Sequence, residues 1–140
     1  MSKYPNVKDP ELVGNYDAAA KAGGGYVWDH VLEYRVWCSP LNGASDLENG
    51  NDYYYVFELC EEALDFSKNT IGAEEPLALI FQEEYIDEPE PEAYVRVKEN
   101  RIAEWPIEFL SRPRRVENTI SNFLAPNAPT NKLDIIRGLA

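Results

Sequence analysis

Tyr26-Val27-Trp28-Asp29-His30-Val31-Leu32-Glu33-Tyr34-Arg35-Val36-Trp37-Cys38 holds two of the three tryptophans, the single histidine and one of the two cysteines. From Val31 onward it alternates. Leu32, Tyr34, Val36 and Cys38 fall on one face, and Val31, Glu33, Arg35 and Trp37 on the other. Period-two alternation with β-branched and aromatic residues predicts a strand. The apolar face predicts a covered side of a sheet, and the mixed face predicts a partly wet one. Gly23-Gly24-Gly25 breaks the chain before this strand, and Ser39-Pro40 ends it.

Working outward, the remaining elements assemble around that strand. Tyr53-Tyr54-Tyr55-Val56-Phe57 reads as a second strand, reached through a polar loop over residues 40–52. Residues 58–69 read as an amphipathic helix with Leu59, Ala63, Leu64 and Phe66 on its apolar face and Gly72 as its stop. The run Pro76-Leu77-Ala78-Leu79-Ile80-Phe81-Gln82 is continuously apolar up to Gln82, which predicts a central strand covered on both sides. Residues 83–92 read as an acidic, proline-containing loop, residues 93–99 as an alternating antiparallel strand, and residues 102–105 as a short strand ended by Pro106. Residues 106–110 suggest a helical turn, and Val116, Ile120, Phe123 and Leu124 lie at helical spacing. Ahead of the first strand, Asp9 and Pro10 suit the start of a helical turn, and residues 15–22 suit another. The expected fold is α+β: a small, mostly antiparallel sheet packed by one central helix plus C-terminal helices. Its expected organisation is a polar arm over residues 1–25, one domain over 26–125, and a linker with a short helix over 126–140.

Composition narrows the function classes. At 140 residues with 44% apolar content, the chain is long enough for one ordinary hydrophobic core. A net charge of −12 opposes binding to nucleic acid or to anionic membranes and fits either solubility or a cationic partner. No apolar run approaches the roughly 20 residues of a membrane span, and the first residues lack a signal-peptide core. A soluble cytoplasmic protein is expected. Cys38 and Cys60 have no CxxC spacing and are expected as thiols in a reducing compartment, a disulfide being the minor alternative.

Several residues are candidates for chemistry. His30 beside Asp29 is a candidate general base, or simply a strand-end histidine. Glu33 and Glu104 are further candidate bases. A zinc site would need His30, Cys38, Cys60 and a carboxylate to converge without ligand spacing, so no metal is expected. The acidic residues between Glu83 and Glu92 lack EF-hand spacing. The glycine triplet lacks the Walker and Rossmann spacings. Trp28, Trp37, Tyr53, Tyr54, Tyr55 and Trp105 sit on strands or at their ends. With nearby carboxylates they are candidates for a cage around an ammonium group, the plainer reading being sheet packing. Arg112, Arg114 and Arg115 form the one basic cluster. It would grip an anionic ligand, offset the acidic surface, or meet a partner's acidic patch.

Asp29-His30-Val31-Leu32-Glu33-Tyr34-Arg35-Val36-Trp37, Asp52-Tyr53-Tyr54-Tyr55, Glu61-Glu62-Ala63-Leu64, Gly72-Ala73-Glu74-Glu75-Pro76-Leu77, Asp87-Glu88-Pro89-Glu90-Pro91, Arg101-Ile102-Ala103-Glu104-Trp105 and Leu133-Asp134-Ile135-Ile136-Arg137-Gly138-Leu139 together resemble a family of short bacterial proteins. Members of that family are often catalogued under a GNAT-type acetyltransferase label, and the resemblance covers most of the chain from Gly23 onward. It implies an acyl-CoA-dependent N-acetyltransferase-like enzyme acting on an amine, with acetyl-CoA as its cofactor; it carries over no catalytic residue, and the residues themselves offer His30, Glu33 or Glu104 as base. The residues themselves favour a different expectation, a ligand- or partner-binding domain with an aromatic and acidic pocket and no cofactor. Its contacts would be Trp28, Arg35, Trp37, Tyr53, Tyr55 and Trp105. The expected partners are a small cationic ligand or a basic protein, with a homodimer as a further expectation. A regulatory protein that turns its acidic face to a basic partner is a third reading.

Overall fold

The computed structural model describes residues 4–22, 24–91, 93–112 and 114–124. The linker and helix expected over 126–140 lie outside the described residues. The elements are β1 (Lys21–Ala22), β2 (His30–Cys38), β3 (Tyr53–Phe57), α1 (Cys60–Asn69), β4 (Leu77–Gln82), β5 (Tyr85–Glu90), β6 (Ala93–Val97), β7 (Arg101–Pro106) and α2 (Thr119–Leu124). The fold is α+β. Among the described residues one sheet runs β1-β7-β4-β2-β3, with β7, β4, β2 and β3 antiparallel and the two-residue β1 parallel to β7. The hairpin β5–β6 stands as a second, two-stranded sheet. No helix among the described residues is long and apolar enough to cross a membrane.

The opening stretch forms β2, but its alternation slips. Val31 pairs with Ile80 and Glu33 with Leu79, so Leu32 is an extra residue in a β-bulge. The bulge turns Val31 onto the same face as Tyr34 and Val36. This corrects the expectation that Val31 shares a face with Glu33. A one-residue insertion reverses the facing of everything before it.

One sheet face is the main core. Val31, Tyr34, Val36, Ala78, Ile80, Ala103 and Trp105 meet Cys60 and Ala63 of α1 and Ile107 of the 3-10 turn Ile107–Ser111. Each large aliphatic or aromatic side chain buried here contributes about 1.5–3 kcal/mol. Leu59, expected on the buried helix face, is the N-cap and is 40% exposed, and Cys60 takes the buried position instead. A smaller core joins Val27, Ile86, Ile120 and Phe123, so that α2 packs against the β5–β6 hairpin. Tyr85–Glu90 is therefore a strand and not part of an acidic loop. Backbone pairing with Ala93–Val97 outweighs its low strand propensity.

The segment before β2 is a strap. Asp9 caps the 3-10 turn Pro10–Leu12, as its sequence suggests. The Tyr34 hydroxyl donates to the Pro5 carbonyl, and Val7 packs in the main core while its backbone bridges Val31. The chain then passes to the opposite sheet face, where the Gly14 N–H reaches Glu33. It ends as β1, on the far side of β7. Residues 15–22 are thus not a helical turn. Residues 15–20 are irregular, with bends at Tyr16 and Ala18 and with Arg35 holding the Asp17 and Ala18 carbonyls, and only β1 pairs with the sheet edge.

Two glycines are required by close approach. Gly25 has φ of +85°, and a Cβ there would lie 2.4 Å from Gln82 Nε2. Gln82 uses that nitrogen to hold the carbonyls of Gly24 and Val27 at 3.2 and 2.8 Å. Gly72, with φ of +82°, would set a Cβ 2.2 Å from the Ala44 backbone nitrogen. Gly25→Ala combines backbone strain with displacement of Gln82. It is expected to cost about 2 kcal/mol or more, read as a lower urea midpoint at unchanged slope.

Candidate functional site

Glu33 and Arg35 lie two apart on β2 and therefore share a face, and both are 0% exposed. This corrects the expectation of a partly wet face: the strap covers it. Arg35 Nε donates to Glu33 Oε2 at 2.7 Å. Arg35 Nη1 donates to Glu104 Oε2 at 3.1 Å and to the Ala18 carbonyl at 3.2 Å, and Nη2 donates to the Asp17 carbonyl at 2.5 Å. Two further N–H groups reach the carboxylates. The Gly14 N–H donates to Glu33 Oε1 at 2.9 Å, and Trp37 Nε1 donates to Glu104 Oε2 at 2.8 Å. The guanidinium lies 4.6 Å from the Tyr54 ring centre. Burial opposes the charge on Arg35, but hydrogen bonds to Glu33 and Glu104 outweigh it and keep its pKa above the ordinary arginine value.

This network has a mixed character. Buried ion pairs gain little over an apolar replacement, but breaking one leaves a stranded charge. Arg35→Leu is expected to lower stability by about 3–5 kcal/mol, because Glu33 stays buried without its cation. Adding Glu33→Leu in the same chain should recover part of that loss in chemical denaturation.

Outward from the network lies a depression of about 400 Å³, lined by Ala18, Trp37, Glu48, Asp52, Tyr53 and Tyr54 among others. The rings of Trp37 and Tyr54 are 4.6 Å apart and tilted by 43°. They belong to directly paired residues of β2 and β3. Glu48 and Asp52 are exposed at its rim. On the other side of β3, a second depression of about 460 Å³ is lined by Leu47, Tyr53, Tyr55, Phe66 and Ile71, among others. The polar loop expected over 40–52 contributes to both depressions.

The candidate aromatics therefore do not form one cage. Trp28 and Trp105 are buried in the main core. Trp28 Nε1 donates to the Arg112 carbonyl at 2.9 Å. Trp37 and Tyr54 face the strap side, whereas Tyr53 and Tyr55 pair with Cys38 and Val36 and face the helix side. Of the six expected contacts, Arg35, Trp37 and Tyr53 lie at or just beneath one depression, and Tyr54 completes it. Glu48 was not among the expected site residues. Its only signal was its place in the loop before β3.

The His30 ring makes its hydrogen bond to Arg114 and not to the Asp29 carboxylate. Asp29 is buried and accepts from the Glu83 N–H at 2.7 Å and from Arg115 at 2.9 Å. His30 Nδ1 lies 3.2 Å from Arg114 Nη2. A guanidinium only donates, so Nδ1 accepts and the ring proton sits on Nε2. Arg115 also binds Glu83 and Glu84, at 3.0 and 2.8 Å, and Arg114 lies 5.3 Å from the Trp28 ring centre. The Arg112 guanidinium is stacked 4.0 Å from the Phe109 ring centre. The basic cluster thus ties the chain after β7 to the start of β2 and to the hairpin. Cys38 and Cys60 are buried thiols, and burial raises the Cys38 pKa. No cluster of His, Cys, Asp and Glu suited to a metal occurs among the described residues.

A comparison of the chain with protein-family models, curated proteins and solved structures found no match in any of the three.

Burial, then the positive charges of Lys8 and Arg114, push the His30 pKa below 6.5. A histidine lowered on folding leaves stability intact above its unfolded pKa and removes it as pH falls below about 6.5. The single imidazole should titrate by NMR with a midpoint below 6.5, and Lys8→Ala should move that midpoint upward.

Proposed function

We propose that the protein is a binding domain that takes a cationic group, an amine or ammonium, in the depression between Trp37, Tyr54, Glu48 and Asp52. The observation that carries this reading is the half-buried Trp37–Tyr54 pair beside two exposed carboxylates on a chain of net charge −12. Aromatic faces attract cations by about 0.5–2 kcal/mol, and neighbouring carboxylates add to that attraction and raise the encounter rate. The volume is within the ordinary range for small-ligand sites. Arg35 already uses one face of Tyr54, and Glu33 and Glu104 balance its charge beneath the site. The ring pair is thereby contacted from below, Tyr54 by Arg35 and Trp37 by Glu104.

The acetyl-CoA-dependent alternative rests on the resemblance. An acyltransferase acting on an amine needs a base able to accept its proton. Glu33 gives both oxygens to Gly14 and Arg35, Glu104 gives Oε2 to Arg35 and Trp37, and His30 Nδ1 is turned to Arg114. The binding reading has the better support.

Trp37 is the one partly exposed tryptophan, Trp28 and Trp105 being buried, so its fluorescence reports on the site. Titration with lysine amide and with tetramethylammonium should change that emission with a Kd of about 1 mM, weakening as salt rises. Asp52→Asn with Glu48→Gln should weaken binding about three- to tenfold. Equal responses in the parent and this double variant would remove the proposal.

A further inference from the structure

The two ends of the sheet are protected very differently. At one end β1 is only two residues long and carries Lys21, two ordinary ways of blunting an edge. At the other end lies β3, five residues of Tyr53-Tyr54-Tyr55-Val56-Phe57 with no charge, no proline and no bulge. Its outer edge is unpaired among the described residues. The strap covers β2 and crosses the sheet without pairing to β3.

The two depressions described above lie on opposite sides of this edge, and Tyr53 lines both. One is lined by no charged residue: Tyr55, Phe66, Leu47 and Ile71 stand beside Asn69 and Thr70, and Leu47 and Ile71 are 59% and 78% exposed. The other is the aromatic and acidic depression of Trp37, Tyr54, Glu48 and Asp52. An added strand sends successive side chains to opposite faces. Its even residues would meet one depression and its odd residues the other.

We infer that the outer edge of β3 accepts an extended segment of a basic partner protein as an added strand. Its apolar side chains enter the Tyr55–Phe66 side, and its cationic side chains enter the Trp37–Tyr54 side. The inference rests on the proposed cation site for the second half of that pattern. Main-chain hydrogen bonds to β3 supply affinity and the alternating depressions supply selectivity, as in other strand-addition complexes. The charge is complementary: Asp46, Glu48, Asp52 and Glu58 flank the strand, on a chain of net charge −12. The same charge opposes a second copy of this chain as the occupant.

The test uses the full chain and four blocked peptides: an alternating Lys–Val hexapeptide, a block peptide with three lysines followed by three valines, and two forms of the alternating peptide N-methylated on alternate residues, one in each register. The alternating peptide should bind about tenfold tighter than lysine amide and than the block peptide, and N-methylation in one register should abolish the gain. Amides within residues 53–57 should become protected from hydrogen exchange. Leu47→Ser with Ile71→Ser should weaken the peptide while leaving lysine amide binding unchanged. A peptide no tighter than lysine amide overturns the strand-addition inference and leaves the cation site standing. Tight peptide binding that ignores Asp52→Asn and Glu48→Gln overturns both the cationic half of the pattern and the proposed cation site. A stable dimer in sedimentation that the peptide fails to dissociate overturns the choice of partner.

Discussion

A guanidinium removed from water must be given a full set of oxygen partners, and Arg35 is the point on which this structure turns. Two of its acceptors are carboxylates from β2 and β7, and two are backbone carbonyls of the strap. Its side chain therefore joins a central strand, a strand two places away and the segment crossing over them. The extra Leu32 lets Val31 serve the opposite core while Glu33 and Arg35 face the strap. The same charged group lies against Tyr54, which fixes one wall of the candidate site. Stability of the domain and shape of the depression thus share a single cause.

Much of this was legible in the sequence, for identifiable reasons. β3 was read at its actual bounds because three tyrosines, a valine and a phenylalanine between polar loops leave little alternative. Leu77–Gln82 reads as a central strand because it has no polar face, and it does sit between β2 and β7. The strap was not legible, since its partners for Arg35 are carbonyl oxygens, which every residue carries. Leu32 as a bulge was equally invisible, because a bulge is a choice of register and not a composition. Tyr85–Glu90 has Asp, Glu and Pro in a strand, and it exists because its hairpin partner and α2 cover it.

The site divides the same way. Trp37 and Arg35 were recognisable as unusual residues on a mixed face. That Tyr54 rather than Tyr55 joins them follows from pairing register, which places Trp37 opposite Tyr54. Trp28 and Trp105 attract the eye for their size, but size is also what makes a core residue. The arginine cluster could be read as a ligand grip until Asp29, Glu83 and Glu84 were found around Arg115.

The strap has a further consequence in time. Lys21 pairs with Ala103, so an early segment of the chain completes itself against one of the last strands to be synthesised. Until β7 leaves the ribosome, Arg35 lacks Glu104, and the glutamate beside it lacks a finished lid. Loop closure over such a separation makes assembly slow compared with a fold of local contacts. During that interval the apolar strands β2, β3 and β4 wait with an incomplete cover. A net charge of −12 makes incomplete chains repel one another over that interval.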